Sequence, residues 1–240
     1  MRISEIFHSI QGEGQLTGVP SVFIRTSGCN LRCWFCDTPY ASWKPEGDSF
    51  SVSEVIEKTL SYACDHVVIT GGEPMIVPEL PELCSELRKL GKHITIETAG
   101  TVIQEPTLSF DLLLCDLMSI SPKLSNSAPA ESEANNWHER HNETRDKPEV
   151  VAKLIALSKD FQLKFVVGSI LDAEEVMEFI AEYAARGLRV PFSKILMMPR
   201  GVSTGEIDQQ AEWLVPWCKA KGVRYCDRTH IRWFGNRRGT

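Results

Sequence analysis

The chain is 240 residues long, with 42% hydrophobic and 24% charged residues, a composition typical of a globular protein large enough to bury one core. Its net charge of −6 argues against binding nucleic acid through overall charge, although four arginines are compatible with a local basic patch: Arg228, Arg232, Arg237 and Arg238. The first residues contain no apolar secretory segment, and no apolar run is long enough to cross a bilayer. We therefore expect a cytoplasmic protein with no direct nucleic-acid or membrane partner.

Apolar, β-branched runs alternate along the chain with amphipathic segments. The runs predict strands at 21–27, 66–70, 93–98, 111–118, 163–167, 194–199 and 223–227. The amphipathic segments predict helices near 51–63, 80–90, 148–159, 172–186 and 206–221. Because strand–helix alternation gives parallel strands with crossover helices, the sequence predicts an α/β fold.

Six or seven such strands favour an open, incomplete parallel β/α barrel over a closed barrel of eight, in a single domain spanning 1–240. In such a fold, binding and reacting groups lie at the C-terminal ends of the strands. One segment does not follow the alternation. Residues 124–147 are polar and rich in Ser, Asn and Glu, which favours a mobile surface loop or an insertion inside the domain.

The eight cysteines fall into two groups. Cys29, Cys33 and Cys36 form a C-x3-C-x2-C pattern, whereas five others lie among apolar neighbours and are interpreted as small buried hydrophobic residues: Cys64, Cys84, Cys115, Cys218 and Cys226. Thiolates suit zinc or an iron–sulfur cluster. A structural zinc site takes four ligands, and nearby His66 is interpreted as a packed core residue at the start of a strand. A [4Fe–4S] cluster held by three thiolates leaves one iron open to a ligand, but the spacing alone excludes neither metal.

A second motif, "VVITGGEP" at residues 67–74, predicts a buried strand that runs into a double-glycine turn ended by Pro74. Glycines let backbone N–H and C=O groups approach a ligand closely. Alone, this motif is also compatible with a plain strand–helix connection. The double glycine begins at Gly71, 35 residues after the last cysteine of the pattern, and this combination is informative.

Several polar residues are candidate ligands, and three of them have two interpretations each. Gln11 and Glu13, on a glycine-rich turn, suit a heterocycle with an aminopyrimidinone edge. Arg25 either clamps a carboxylate through two hydrogen bonds or pairs with a structural acid. Thr38 either ligates Mg²⁺ or caps its turn. Glu97, near the end of a predicted strand, either reaches a ligand at the strand ends or makes a local salt bridge.

The three-cysteine pattern with Phe35 before its last cysteine, together with the GGEP turn, resembles the radical S-adenosylmethionine (SAM) superfamily. Within it, further stretches resemble the 7-carboxy-7-deazaguanine synthase family of queuosine and deazapurine biosynthesis: "QGEG", "GCNLRC", "ITIETAGT", "SPKLSNS" and Thr229-His230. The resemblance runs almost from end to end and is poorest at 124–147.

The resemblance implies a lyase that converts 6-carboxy-5,6,7,8-tetrahydropterin into 7-carboxy-7-deazaguanine and ammonia. It implies a [4Fe–4S] cluster, SAM and Mg²⁺ as cofactors. A 5′-deoxyadenosyl radical takes a hydrogen from the pterin, the ring contracts, and hydrogen return regenerates SAM. The resemblance further implies a flavodoxin-type electron donor and a homodimer.

Roles for particular residues are also implied by this resemblance. Cys29, Cys33 and Cys36 would hold the cluster and, with Arg25 and Glu13, form the catalytic set, while Thr38 would ligate Mg²⁺. The SAM site would comprise Phe35, Cys36, Asp37, Gly71, Gly72, Glu73, Ser121, Pro122, Lys123, Met198, Pro199, Arg200 and Gly201. The pterin would be bound by Ile10, Gln11, Gly12, Glu13, Arg25, Thr70, Glu97 and His230.

Two alternatives belong to other functional classes. An enzyme that activates a glycyl-radical partner protein uses the same cysteine spacing and a GGEP-like turn. The QGEG stretch and Arg25 instead favour a small carboxylated substrate, and no docking extension is evident. A zinc- or iron–sulfur-stabilised binding module is the non-enzymatic alternative.

Overall fold

The computed structural model describes residues 1–104, 107, 113–132 and 136–240. Nine strands are present in this part of the chain: β1 (Arg2–Ile10), β2 (Pro20–Thr26), β3 (Asp48–Ser49), β4 (His66–Gly71), β5 (His93–Thr98), β6 (Cys115–Ile120), β7 (Ser158–Val167), β8 (Ile195–Pro199) and β9 (Arg224–Tyr225). The α-helices described are α1 (Val52–Leu60), α2 (Leu80–Lys89), α3 (Trp137–Thr144), α4 (Pro148–Ala156), α5 (Ile170–Ala185), α6 (Thr204–Lys221) and α7 (Thr229–Phe234).

The described strands form one sheet in the order β3-β1-β2-β4-β5-β6-β7-β8-β9. Pairing is parallel from β2 through β9, whereas β1 lies antiparallel to both β2 and β3. Strand β9 pairs with β8 and not with β3, so the sheet is open. The predicted fold class, an incomplete parallel β/α barrel, is confirmed.

Most predicted strands and helices are present, with a few differences. Strand β6 begins at Cys115, four residues later than predicted, and positions 111–112 of that prediction lie outside the described residues. The helix predicted at 148–159 ends at Ala156, because β7 already begins at Ser158 and pairs with β6. The prediction missed β1, β3, α3 and α7. In β1, apolar positions are interrupted by Ser4, Glu5 and His8, and its cross-strand partners are the residues of β2, from Thr26 opposite Ile3 to Pro20 opposite Ile10.

The two faces of the sheet have different roles because successive side chains of a strand point in opposite directions. Ile24, Ile69 and Ile96 belong to the main hydrophobic core, in which helix residues such as Leu83 and Val176 are also packed. The alternate positions line a cavity: Arg25, Thr70, Glu97 and Lys164. The same alternation therefore builds the core on one face and the candidate site on the other.

Helix α2 shows how the core face is formed. It begins with Pro81 in its first turn and buries Leu80, Leu83, Cys84 and Leu87, which recur on one side of a helix with 3.6 residues per turn. Replacing one of these fully buried leucines by alanine is expected to cost about 2–5 kcal/mol of unfolding free energy. This packing fixes the helix against the strands that carry the site.

Other sequence interpretations can be compared with the structure. The five scattered cysteines are buried, as predicted, and all eight cysteines are free. Trp213 and Trp217, one helical turn apart, pack against the main core. The segment 124–147 is not simply a mobile loop, because α3 and a short 3-10 helix (Ser125–Ser127) lie within it. Among the described helices, none has the length and apolar character that crossing a membrane would require.

His66, the first residue of β4, is a packed core residue as predicted, with 5% of its surface exposed. Its Nδ1 pairs with Ser21 Oγ at 2.6 Å and its Nε2 with Thr95 Oγ1 at 2.8 Å. Burial, and secondarily the neighbouring His93, lowers the pKa of His66 to about 4. The imidazole is therefore neutral in the folded protein at neutral pH.

We predict that His66 makes the protein less stable in mild acid. The unfolded chain takes up a proton at this residue as the pH falls through about 6.5, whereas the folded chain resists protonation until about 4. The unfolding free energy should therefore decrease across this interval, by up to about 3 kcal/mol from His66 alone. Urea unfolding of the reduced protein between pH 7 and pH 5 should show a shallower decrease for His66→Gln than for wild type. The exposed His8→Gln serves as control, and equal slopes for wild type and His66→Gln would contradict the prediction.

Candidate active site

A cavity of about 900 Å³ opens at the C-terminal ends of the parallel strands, where the sequence predicts the site. Most residues that the family resemblance nominated line it: Ile10, Gln11, Gly12, Glu13, Arg25, Cys29, Cys33, Phe35, Cys36, Asp37, Thr38, Thr70, Gly71, Gly72, Glu97, Ser121, Lys123, Met198, Arg200, Gly201 and His230. Three nominated residues are not part of the lining: Glu73, Pro122 and Pro199. The fold thus brings together groups from strands far apart in the sequence.

One wall of the cavity carries Cys29, Cys33 and Cys36, all partly buried. The Leu31 N–H lies 3.4 Å from Cys29 Sγ, and Ser42 Oγ lies 3.1 Å from Cys36 Sγ. Burial raises the pKa of the Cys29 thiol to about 12 and that of Cys33 to about 11. Without a metal the two thiols are therefore protonated at neutral pH, and metal binding must release their protons.

The donor set of this wall fits an iron–sulfur cluster. Three soft sulfur ligands face one cavity, and nearby N–H and O–H groups can donate to thiolate sulfur. Within the described residues, no group of three or more His, Cys, Asp or Glu side chains is arranged to hold a single metal ion. The cysteines therefore do not converge on one point as the ligands of a tetrahedral zinc ion do.

The double-glycine turn after β4 holds the cysteine loop by close backbone contact. Gly72 N donates to Thr26 O at 3.1 Å and Glu73 N to Gly28 O at 2.9 Å. A Cβ on Gly72 would lie 2.0 Å from Gly28 O, so no larger residue fits without moving the loop that leads to Cys29. The glycines are thus required for packing of the turn on the cysteine loop, in addition to any ligand contact.

The segment 124–147 also supports the cysteine loop. His141, fully buried on α3, accepts a hydrogen bond from Arg32 N at 3.2 Å and pairs with Ser127 Oγ at 2.9 Å. The Arg32 guanidinium stacks on Trp137 at 4.0 Å, and Trp34 Nε1 donates to the carbonyl oxygen of Asn126 at 2.7 Å. These contacts fix the backbone on both sides of Cys33, a function that the polar composition of the segment did not predict.

Glu73, nominated for the SAM site, is fully buried and directed toward the protein interior. Its carboxylate accepts hydrogen bonds from Thr98 Oγ1 (2.7 Å), Ala99 N (2.8 Å) and Met75 N (3.0 Å). Burial raises its pKa, and these three hydrogen bonds oppose the shift. In this structure Glu73 ties the turn after β4 to the end of β5.

A second part of the cavity lining carries amide and carboxylate groups. Gln11 is buried, and its Nε2 donates to Glu97 Oε1 at 3.1 Å while its Oε1 accepts from Glu13 N at 3.1 Å. Within the part of the chain that the structure describes, Glu97 makes this hydrogen bond and no salt bridge. Instead, Glu97 and Gln11 hold each other in place across the cavity lining.

Glu13 lies in a cluster of charges. Lys164 Nζ pairs with Glu13 Oε2, Arg228 Nε donates to Oε1 at 3.1 Å, and His230 Nε2 lies 3.8 Å from Oε1. Burial alone would raise the pKa of Glu13, but the charges of Lys164 and Arg228 hold it well below its usual range. Burial lowers the pKa of His230, which the Glu13 carboxylate partly offsets. Glu13 is therefore ionised at neutral pH.

Arg25 pairs with a structural acid, which is one of its two predicted roles, and it also lines the cavity. Its Nε pairs with Glu5 Oε1 at 2.7 Å. Glu5 is itself fixed by the Tyr40 hydroxyl at 2.8 Å and by Arg238 at 3.3 Å. A guanidinium oriented through Nε leaves its two terminal nitrogens for an anion.

Sequence reasoning missed Lys164 and Arg228 as site residues. A lysine within the apolar run of β7 was a usable signal, because a charge buried in a strand is costly without a partner. Three of the C-terminal arginines do not form the free basic patch the sequence allowed, because they pair with carboxylates: Arg228 with Glu13 and Asp37, Arg232 with Asp208 and Asp227, and Arg238 with Glu5 and Glu46.

Comparison with known proteins gives matches over most of the chain. A family model described as the radical SAM superfamily matches residues 23–214. The chain is 46% identical over 238 residues to a 7-carboxy-7-deazaguanine synthase of Rhodopirellula baltica, covering 99% of this chain and 88% of that protein. It is 41% identical over 237 residues to the synthase of that name from Halobacterium salinarum, covering 95% and 88%.

A solved structure is also similar. The crystal structure of QueE from Escherichia coli superposes with a TM-score of 0.64 at 27% identity, covering 95% of this chain and 94% of that chain. These matches bear out the resemblance drawn from the cysteine pattern and the N-terminal motif, and not the glycyl-radical activase or the binding module. The chain belongs to the radical SAM superfamily and, within it, to the 7-carboxy-7-deazaguanine synthase family.

Proposed function

We propose that the chain is a radical SAM lyase that converts 6-carboxy-5,6,7,8-tetrahydropterin into 7-carboxy-7-deazaguanine and ammonia. The observation that carries this proposal is one cavity with three thiols on one wall and a fixed amide, carboxylates and a guanidinium on the other. A substrate with an aminopyrimidinone edge and a carboxylate matches the second wall. The names of its nearly full-length relatives support the same reaction.

Cys29, Cys33 and Cys36 would hold a [4Fe–4S] cluster, leaving SAM to occupy the open iron. When bound, the cluster and SAM supply a 5′-deoxyadenosyl radical that removes a substrate hydrogen and later returns it, which regenerates SAM. The protein supplies orientation and exclusion of water. Phe35, Asp37, Gly71 and Gly72 would contact SAM, together with Ser121, Lys123, Met198, Arg200 and Gly201 on the same lining.

The substrate heterocycle would lie against Gln11 and Glu97, which present an amide and a carboxylate that already hold each other at 3.1 Å. Ionised Glu13 would accept hydrogen bonds from ring N–H groups, and Ile10, Gly12, Thr70 and His230 would complete the contact surface. Gln11 and Glu97 are held by each other before the substrate binds, so this part of the contact surface is preordered.

Arg25 would bind the substrate carboxylate through its two terminal nitrogens, with Glu5 fixing the guanidinium through Nε. Thr38, in the cavity next to the cysteine loop, would give its hydroxyl to Mg²⁺ as a hard oxygen ligand, and substrate oxygens would complete the coordination. The metal would hold the carboxylate and the ring in a fixed orientation for the rearrangement.

We also propose the cellular setting. Eight free cysteines suit the cytoplasm, where thiols stay reduced. A flavodoxin-type protein would deliver the electron that first reduces the cluster, and this electron would be recovered when SAM is regenerated at the end of each turnover. Two copies of the chain would form a homodimer.

The turnover experiment is direct. Anaerobic, reduced enzyme incubated with SAM, Mg²⁺ and carboxytetrahydropterin should release 7-carboxy-7-deazaguanine and ammonia, with many turnovers for each SAM supplied. Product is measured by chromatography with mass detection. Stoichiometric consumption of SAM without a deazapurine would show that the substrate assignment is wrong.

Replacing Cys33 by Ala should remove both activity and the broad visible absorbance of the cluster, because one of three thiolate ligands is lost. The apoprotein fold should be retained, since the Cys33 contact that is described uses its backbone carbonyl, which accepts from Trp43 at 2.9 Å. Far-ultraviolet circular dichroism checks the fold. Cys218→Ala, a buried cysteine outside the cavity, is the matched control and should keep the absorbance.

Arg25→Lys should raise KM by about tenfold to a hundredfold, because a charge-assisted hydrogen bond to the substrate carboxylate contributes about 1.5–3 kcal/mol. The lysine can keep the ion pair with Glu5 but cannot also present two parallel donors. Cluster absorbance should be unchanged. A KM equal to that of wild type would exclude Arg25 as the carboxylate ligand.

A further inference from the structure

Arg228 lies between β9 and α7, and only 5% of it is exposed. Each nitrogen of its guanidinium has a different acceptor. Nε donates to Glu13 Oε1 at 3.1 Å, Nη1 donates to the carbonyl oxygen of Gly201 at 2.6 Å, and Nη2 pairs with Asp37 Oδ2. One side chain thus holds three separate segments of the cavity lining.

The three acceptors belong to different parts of the proposed site. Glu13 lies on the substrate wall, Asp37 directly follows the cluster cysteine Cys36, and Gly201 follows β8. The last two stand among the residues proposed to contact SAM. Arg228 is therefore the direct link between the substrate wall and the SAM wall.

A guanidinium is required for this geometry. It is planar and directs N–H groups along several fixed directions, whereas an ammonium is a single point of charge. Lys164 shows the contrast within the same site, since its described hydrogen bond is to Glu13. Removing Lys164 would disturb the substrate wall, but among the side-chain hydrogen bonds of the described residues only those of Arg228 connect that wall to Asp37 and Gly201.

We propose that Arg228 is a positioning residue that couples substrate binding at Glu13 to SAM binding beside the cysteine loop. This inference rests on the proposed function for the identity of the two ligands. When the substrate engages Glu13, the guanidinium moves with that carboxylate, and Asp37 and the Gly201 carbonyl move with the guanidinium. Coupling of this kind is reciprocal, so SAM must also tighten substrate binding by the same factor.

The test measures binding and needs no turnover. The dissociation constant of SAM is measured by calorimetry on cluster-loaded, oxidised protein, with and without saturating 6-carboxy-5,6,7,8-tetrahydropterin. The ratio of the two constants is the coupling factor. In wild type we expect a factor of about five or more.

The variants distinguish a loss of coupling between the two ligands from general damage to the site. Arg228→Lys should bring the factor close to one, whereas Lys164→Met should weaken substrate binding but keep the factor. Arg232→Lys, an ion-paired arginine of α7 outside the cavity lining, should change neither quantity. Asp37→Asn removes the ion pair at the more exposed end of the same link and leaves at most a neutral hydrogen bond, so it should lower the factor toward one. This variant covers the case in which Arg228→Lys does not fold.

A factor that persists in Arg228→Lys or Asp37→Asn, or a wild-type factor of one, would overturn the inference while leaving the proposed function standing. If wild-type protein binds SAM but not the pterin at any concentration tested, the proposed function fails and the inference fails with it. A loss of the factor in both variants, with cluster content unchanged, supports the coupling.

Discussion

The carboxylate of Glu13 holds together the two ends of an open sheet. It lies on the turn after β1, yet it pairs with Lys164 of β7 and with Arg228 beyond β9. The backbone adds a bond from Thr229 N to Gly12 O at 2.9 Å. A buried carboxylate is costly unless it has charged or hydrogen-bonding partners. The ion pairs of Glu13 therefore stabilise the structure only when the turn after β1 lies against β7 and the segment after β9. Where a closed barrel would use strand pairing, this molecule uses ion pairs, and they leave room for a polar cavity.

Successive side chains of a strand point to opposite faces of the sheet, which explains why the same short strands contribute to both the site and the core. In β2, Ile24 enters the core while Arg25 enters the cavity, and in β7, Phe165 enters the core while Lys164 enters the cavity. A slip of one residue in register would exchange the two sets. The apolar core therefore fixes the position of the polar groups that line the cavity.

The sequence allowed the fold class, most strands and most of the cavity lining to be predicted, because local apolar patterns and short motifs encode them. It did not allow the pairing partners to be predicted. The sequence left Arg228 as a candidate for a local basic patch, because the acidic partners of an arginine cannot be derived from its neighbours in the chain. For the same reason, the sequence nominated Glu73 for the SAM site without showing that its side chain is fully buried. The same holds for His141, whose contacts with the cysteine loop span about a hundred residues.

Ser127 and His141 meet directly, at 2.9 Å, at the base of a stretch that begins and ends beside the cysteine loop. The entropic cost of bringing the two ends of a loop together grows slowly with the length of the loop. Insertions or deletions between Ser127 and Trp137 therefore leave the cysteine loop in place so long as the contacts of Ser127, Trp137 and His141 remain. The chain can therefore change its length in this stretch during evolution at little cost. In contrast, replacing Ser127 or His141 would disturb the backbone next to Cys33.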